Sequence, residues 1–295
     1  MDMDVLLKNV ILTPFNILYH FSPELDLKIL FRLKHGYRLN LKNPRTYNEK
    51  LQWIKLYDKN PLMPICCDKY EVRKYVKSKG CGEILNELIW QGLNPEDIPF
   101  EILPNKFVIK VTHGSTFNII CKDKNRLNKE DIIRKCKKWL KTRYLSAYGE
   151  WFYGVKKPRV IVEKFLDDGN SRLRDYKIYC FNGIPRFIGV DSGDAKGQHY
   201  KDIYDTDWKI KSGYQMAYPC SGSIIQKPEA LEEMLKYASL LAEDFLHVRI
   251  DFYIVDNKVI FGEMTFTNSA GFGRVEPEEF SLKMGDFLKL TQNQD

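Results

Sequence analysis

The sequence predicts an α+β fold with antiparallel sheets, on three observations. Hairpin signals recur late in the chain: Asp175–Phe181 and Pro185–Asp191 flank Asn182-Gly183-Ile184, and Val248–Val255 and Val259–Phe266 flank Asp256-Asn257-Lys258. Helical patterns precede and separate these strands instead of alternating with each one, as crossovers in a parallel sheet would. The composition, 44% hydrophobic and 29% charged over 295 residues, is that of a core-forming chain long enough for about two domains.

Taken in order, the chain opens on Met1-Asp2-Met3-Asp4, which is acidic and lacks the basic start of a signal peptide. Val5 to Phe21 is apolar-rich but broken by Lys8, Asn9, Thr13, Pro14 and Asn16, short of the roughly 20 near-continuous apolar residues a membrane span needs. It reads first as a helix packed on its own domain. Its second reading is a peripheral membrane contact through Val5, Leu6, Leu7, Val10, Ile11, Leu12 and Phe15, followed by basic Lys28, Arg32, Lys34 and Arg38. Tyr47 to Leu56 is a short helix. Asp68 to Lys79 is a basic helix stopped near Gly80 and Gly82. Residues 95–104 form a turn-rich connector, and Lys106 to Val111 is a strand running into His113-Gly114-Ser115-Thr116. Asn128 to Lys141 is a helix, with Ile132, Cys136, Trp139 and Leu140 on one face. After Pro158 come the strand Arg159 to Leu166, the first hairpin, a helix from Lys227-Pro228 to about Phe245, and the second hairpin. These changes divide the chain into a helical region 1–60, a smaller α+β unit 61–158 and a C-terminal unit 159–295.

The charge balance, 46 Lys+Arg against 39 Asp+Glu for a net +7, suits an anionic small molecule, a polyanionic polymer or a membrane surface. It is too mild to require nucleic acid. Seven cysteines without a C-x-x-C pair, and five scattered histidines, disfavour a disulfide framework or a zinc site and make a reducing cytoplasm the default.

The second hairpin carries the most chemistry. In VRIDFYIV, Arg249, Asp251 and Tyr253 point one way; in VIFGEMTF, Phe261, Glu263 and Thr265 share a face. A three-residue loop pairs Val255 with Val259, so that Asp251 faces Glu263 and Arg249 faces Thr265. A two-residue loop would put them on opposite faces. The longer loop is expected, because it buries one apolar set together. Two carboxylates about 4 Å apart repel by roughly 4 kcal/mol at an effective dielectric near 20. Compensation would come from Arg249, from a raised carboxyl pKa, or from a hard divalent ion. A surface ion-pair ladder is the plain structural alternative.

KFVIKVTHGSTFN is a strand ending in a small-residue turn. It lacks the Walker A pattern, but a Gly-Ser-Thr turn can aim backbone N–H groups at a phosphate within reach of Lys110. His113 reads as a loop hydrogen-bonder, and Lys69 and Lys177, taken singly, as solvated charges. Glu163, among the apolar residues of RVIVEKFL, requires a partner.

Together and in this order, YNEKLQWIKLYD, DKYEVRKYV, KFVIKVTHGS, RVIVEKFL, DYKIYCFNGIPRFIGVDS, DTDW, VRIDFY and FGEMTFTNSAGF resemble the ATP-grasp enzymes. The likeness runs from about Tyr47 to Leu290 and is closest to the TupA-like branch associated with bacterial surface-polysaccharide gene clusters. It implies two α+β subdomains, 61–158 and 159–295, sandwiching ATP. By the same resemblance Lys69 and Lys110 contact phosphates, and His113, Gly114, Ser115 and Thr116 belong to a loop closing over them. Glu163 and the backbone of Lys164 and Phe165 meet the adenine, with Leu166 packing nearby. Asp175 holds the ribose, and Lys177 adds positive charge. Asp251, Glu263 and Thr265 bind Mg²⁺, and Arg249 steadies the transferring phosphoryl group. The sequence departs from the family pattern at Glu263-Met264-Thr265, where E-x-N is usual, and at Asn268-Ser269-Ala270-Gly271 in place of proline-glycine. The region ahead of Tyr47 is short for a full preceding domain, so acceptor recognition is expected from the first sixty residues or another chain.

The activity implied is carboxylate–amine ligation: ATP and Mg²⁺ activate a carboxylate as an acylphosphate, and an amine displaces phosphate to give an amide. By family context the acid belongs to a uronic-acid-containing glycan or its precursor, and the amine to an amino acid. Two rivals are a glycosyltransferase using Asp205-Thr206-Asp207 for a metal and a nucleotide sugar, and a non-catalytic nucleotide-binding protein.

Overall fold

The computed structural model describes residues 3–168, 173–193 and 198–290, without the side chains of residues 3–10 and 193. Two helices open the chain, α1 (Met3–Phe21) and α2 (Pro23–His35), the latter ended by Gly36 in the left-handed conformation (φ 82°). Next come α3 (Tyr47–Tyr57), α4 (Met63–Cys66) and α5 (Val72–Ser78). A capping box fixes the start of α3: Thr46 Oγ1 accepts the Glu49 amide at 3.3 Å, and Glu49 Oε2 accepts the Thr46 amide at 3.0 Å.

Strands β1 (Leu88–Gly92), β2 (Phe107–Val111) and β3 (Asn118–Cys121) precede α6 (Lys129–Leu140), and β4 (Val160–Lys164) follows it. These strands form an antiparallel sheet in the order β1-β4-β2-β3. Its core joins Phe107, Ile109, Val160 and Val162 to Ile132 and Cys136 of α6. Then come β5 (Asp175–Phe181), β6 (Ile184–Gly193), β7 (His199–Asp205) and β8 (Gln215–Met216), α7 (Leu231–Ala242), β9 (His247–Val255), β10 (Lys258–Thr265), β11 (Val275–Glu276) and α8 (Glu278–Phe287). The five-stranded sheet has the order β10-β9-β5-β6-β7, all antiparallel, and β8 pairs with β11. Its core takes in residues of α3, α4, α5, α7 and α8. Leu27 and Phe31 of α2 pack with Trp53 of α3 and with Phe272, while Leu12 and Leu30 pack with Ala147. The expectation of antiparallel sheets built from hairpins is therefore met. No described helix is long and apolar enough to cross a membrane.

Three local expectations are corrected. The basic helix starts at Val72, not Asp68, because the Asp68 carboxylate accepts the amides of Tyr70 and Glu71 (both 2.9 Å) and holds Lys69 in a turn. The helix after Pro228 begins at Leu231 and ends at Ala242. The last hairpin has a two-residue loop, Asp256-Asn257, with φ 51° and 58°, so Lys258 pairs with Val255 and Phe261 with Phe252. That register alone would turn Glu263 away from Asp251. A β-bulge between Phe261 and Glu263 absorbs Gly262 and restores it: Glu263 pairs with Asp251 and Thr265 with Arg249. Phe261, expected beside Glu263, instead packs against Phe252 on the other face (ring centroids 6.5 Å).

Candidate functional site

The strand order sets β5 beside β9, with Lys177 opposite Asp251, and places Asp175 opposite Asp191 on β6. Because side chains alternate, Arg249, Asp251, Lys177 and Asp175 share one face with Glu263. Asp251 is buried and takes a bidentate grip from Arg249, Nε to Oδ1 at 2.6 Å and Nη2 to Oδ2 at 2.7 Å, plus Lys177 Nζ to Oδ2 at 2.9 Å. Burial alone would push the Asp251 carboxyl up, but Arg249 and Lys177 outweigh it and hold it at about 2. Asp175 also receives the Lys177 ammonium, yet burial and the charge of Asp251 raise its carboxyl to about 6. Lys177 is shifted upward: its burial is outweighed by Asp251, Asp175 and Asp191.

Through Lys69, Glu263 links this face to the turn that follows β2. Its Oε1 lies 3.4 Å from Arg249 Nη2 and its Oε2 3.3 Å from Lys69 Nζ, which also donates to the Gly114 carbonyl at 2.9 Å. Burial raises the Glu263 carboxyl, and Lys69, ahead of Arg249 and Lys177, brings it below its usual value. Lys69 therefore spans the glycine turn and the paired carboxylates, a placement that follows from the Asp68 turn. Gly114 is required there, since a Cβ would lie 2.0 Å from the Phe117 ring. Thr116 adopts φ 64°, and Ser115 and Thr116 are exposed. His113 is buried and its Nε2 donates to the Thr142 carbonyl at 2.8 Å, the loop-tethering role the sequence indicated.

On the four-stranded sheet, Glu163 has partners of the kind its burial required, though the sequence did not name them: Lys110 Nζ donates to Oε2 at 2.6 Å, and Arg73 Nη1 lies 3.5 Å from Oε1. The Lys164 amide donates to the Glu87 carbonyl at 3.0 Å and its carbonyl accepts from Asn86 at 2.9 Å. Phe165 lies under Lys106 and Lys122, 5.8 Å and 6.0 Å from its ring centre, and Leu166 is half-buried beside it. Two residues escaped the sequence reading. Arg73 looked like one of several solvated helix charges. Asn268, whose Oδ1 accepts from Arg249 Nη1 at 2.7 Å, comes three residues after Thr265, past the end of the strand. No pattern of spacing would have found either. Asp205-Thr206-Asp207 is a turn: the Asp205 carboxylate accepts the amides of Asp207 and Lys209 and pairs with Lys211 at 2.5 Å, so its oxygens are engaged within the loop.

Among the described residues no group of three or more His, Cys, Asp or Glu is arranged to hold a metal ion. Asp251 and Glu263 bring hard oxygen donors to one face; both Asp251 oxygens are held by Arg249 and Lys177, and Glu263, 37% exposed, is the carboxylate open to a ligand. That donor set fits a hard divalent ion whose shell is completed by phosphate oxygens and water. A cavity of about 630 Å³ opens between residues 113–117, 142–150 and 269–273, with Lys34 of α2 on its wall, and meets the acidic pair through Gly114 and Lys69.

Two antiparallel sheets, with Lys69 joining a glycine turn to Glu263 of an acidic pair, have the arrangement of an ATP-grasp protein. The chain belongs to the TupA-like ATPgrasp family, which matches residues 49–289. Among solved structures it is similar to a D-alanine–D-alanine ligase from Bacillus anthracis complexed with ATP (15% identity, 68% of this chain and 55% of that one, TM-score 0.41). It is also similar to an L-amino acid ligase from Bacillus licheniformis (14% identity, 83% of this chain and 55% of that one, TM-score 0.47). A D-alanine–D-alanine ligase from Helicobacter pylori gives 16% identity over 84% of this chain and 68% of that one, with TM-score 0.43. The chain thus spans about 55% of the length of the first two. No curated protein matches the sequence.

Proposed function

We propose that the protein is an ATP- and Mg²⁺-dependent carboxylate–amine ligase. The observation that carries this reading is the convergence of Asp251 and Glu263 with Lys69 and the Gly114 turn, joined by contacts of 3.3 and 2.9 Å between Glu263, Lys69 and Gly114. Mg²⁺-ATP, held through Asp251 and Glu263, would supply the phosphoryl group that activates the acid; an amine then displaces phosphate, leaving amide and ADP. The protein's own contribution is charge and position. Lys69, Lys110 and Arg249 offset negative charge on the phosphoryl group, which is where most of the rate acceleration in such transfers arises. Lys177 and Arg249 keep Asp251 ionised, and Asn268 orients Arg249. On this reading the two nucleotide-clasping units are the four-stranded sheet, which takes in β4 beyond the expected boundary at 158, and the five-stranded sheet, on which α4 and α5 pack; Glu163 to Leu166 with Asp175 lie along the nucleoside.

The acid is proposed to be a uronic acid of a surface polysaccharide or its precursor, the amine an amino acid, and the site of action the cytoplasm. Exposed Ile11, Phe21, Leu25 and Leu33 on α1 and α2, beside Arg32 and Arg38, support a peripheral contact with an anionic bilayer. Of the other residues expected in that contact, Leu12 is buried with Leu30 and Ala147 and Phe15 packs against the same cluster, so neither is available to a bilayer, while Val5, Leu6, Leu7 and Val10 have side chains outside the described set. The test is ADP release in the presence of ATP, Mg²⁺, glucuronate and an amino-acid panel, with mass spectrometry for the amide. Release that depends on both acid and amine supports ligation. Turnover of a nucleotide sugar without ATP would replace it with glycosyl transfer.

A further inference from the structure

The walls of the 630 Å³ cavity differ in character from end to end. Tyr144 lines it and stacks on Tyr153 (centroids 4.2 Å apart, planes 7° apart), and Gly114 lines it too: Lys69 donates to the Gly114 carbonyl at 2.9 Å and lies 3.3 Å from Glu263, which places the inner end of the cavity next to the acidic pair. Glu150 lies there too, its Oε1 accepting the Thr267 hydroxyl at 2.5 Å. Beneath it, Lys55 is fully buried and donates to the carbonyls of Tyr148 (2.7 Å) and Ala270 (2.8 Å). That one ammonium fixes two of the three segments forming the wall, so the cavity is built rather than left by loose loops. Tyr148 and Phe272 add apolar faces suited to a ring. The rim carries Lys34 and Arg143, both exposed and neither in an ion pair with a described residue. Lys34 lies ahead of the segment that matches the family.

Resting on the ligase reading, we propose that this cavity is the acceptor site and that its rim reads a second negative charge. The substrate is a ring-bearing acid whose reacting carboxylate sits at the inner end near Glu263. A further anionic group, a second carboxylate or a phosphate, meets Lys34 and Arg143 at the rim. Two partly exposed ion pairs of this kind are worth roughly tenfold in affinity. The first helices thereby supply specificity that the nucleotide-clasping lobes do not contain.

The test uses the full chain saturated with a non-hydrolysable ATP analogue and Mg²⁺, titrated calorimetrically with glucuronate, digalacturonate and glucuronate 1-phosphate. The wild-type protein is expected to bind at least one of the dianionic probes about tenfold more tightly than glucuronate. The Lys34→Ala/Arg143→Ala double variant is expected to lose that preference while keeping its affinity for the ATP analogue, and Lys34→Arg is expected to retain the preference. A preference for digalacturonate identifies an oligomeric acid, and one for the sugar phosphate a phosphate-linked precursor; either supports the assignment. Equal binding of all three probes by the wild type, or a preference surviving in the double variant, overturns it. Absence of ADP release with every acid–amine pair, alongside rim-dependent dianion binding, would sink the ligase reading and leave the cavity's charge reading in place.

Discussion

Asp251 and Glu263 stand opposite one another across the last hairpin only because Gly262 is an extra residue in β10. The tight Asp256-Asn257 loop sets one register and the bulge shifts it by a single residue before the strand reaches the site. A side chain at Gly262 has no room: its Cβ would sit 2.9 Å from the Asp251 carbonyl oxygen and 3.2 Å from the Tyr253 ring.

Gly262→Val is therefore expected to displace Asp251 and cut ATP-dependent turnover by at least about tenfold, with about 1–3 kcal/mol of lost stability from overpacking. Parallel ADP-release assays and thermal melts check this. Wild-type turnover with an unchanged melting temperature would refute the close approach.

Glu263→Gln and Asp251→Asn should each lower turnover by roughly a hundredfold or more, since each removes charge at the point where phosphate and metal meet. Their stabilities should diverge. Asp251→Asn leaves Arg249 and Lys177 buried without their shared counter-ion and is expected to cost about 3–5 kcal/mol, whereas Glu263, more than a third exposed, costs far less. Denaturant titration of both variants decides it.

Lys110→Ala is expected to weaken ATP binding about tenfold by calorimetry. It also strips one of two cations from Glu163, leaving Arg73. An affinity equal to wild type would remove Lys110 from the nucleotide site.

Asp26 on α2 is fully buried, and neither carboxylate oxygen has a hydrogen-bond partner among the described residues. Burial raises its pKa from 3.8 to about 7, with Lys55 pulling the other way. The native state thus holds a proton that the unfolded chain releases near pH 4. Stability from this group is full below pH 4 and falls as pH rises through about 7. Asp26→Asn should raise the melting temperature at pH 8 relative to wild type by more than at pH 5. An equal effect at both values would show that Asp26 does not titrate in this window.

Much of this was legible in the sequence because period-two alternation and turn residues are local signals. They identified both hairpins and the polar face carrying Arg249 and Asp251; Lys177, which reads singly as a solvated charge, joins that face only through the pairing of β5 with β9. The bulge was not legible, since its only trace is a glycine inside a strand. The pairing of Asp251 with Glu263 was reached through the wrong loop, and Phe261 was put on the wrong face as a result. Arg73 and Asn268 were missed because their partners, Glu163 and Arg249, are brought to them by tertiary packing. The start of α5 was misplaced because the Asp68 side chain competes for amides that the helical pattern assigns to the backbone.

The dependence of the site on one bulged glycine makes the hairpin behave as a parity device. A single residue gained or lost at the tip inverts which side of the sheet receives Glu263, unless a second change cancels it nearer the site. Descendants of this gene should accordingly accept length changes between Tyr253 and Gly262 in compensating pairs, with odd changes surviving only where catalysis has been abandoned.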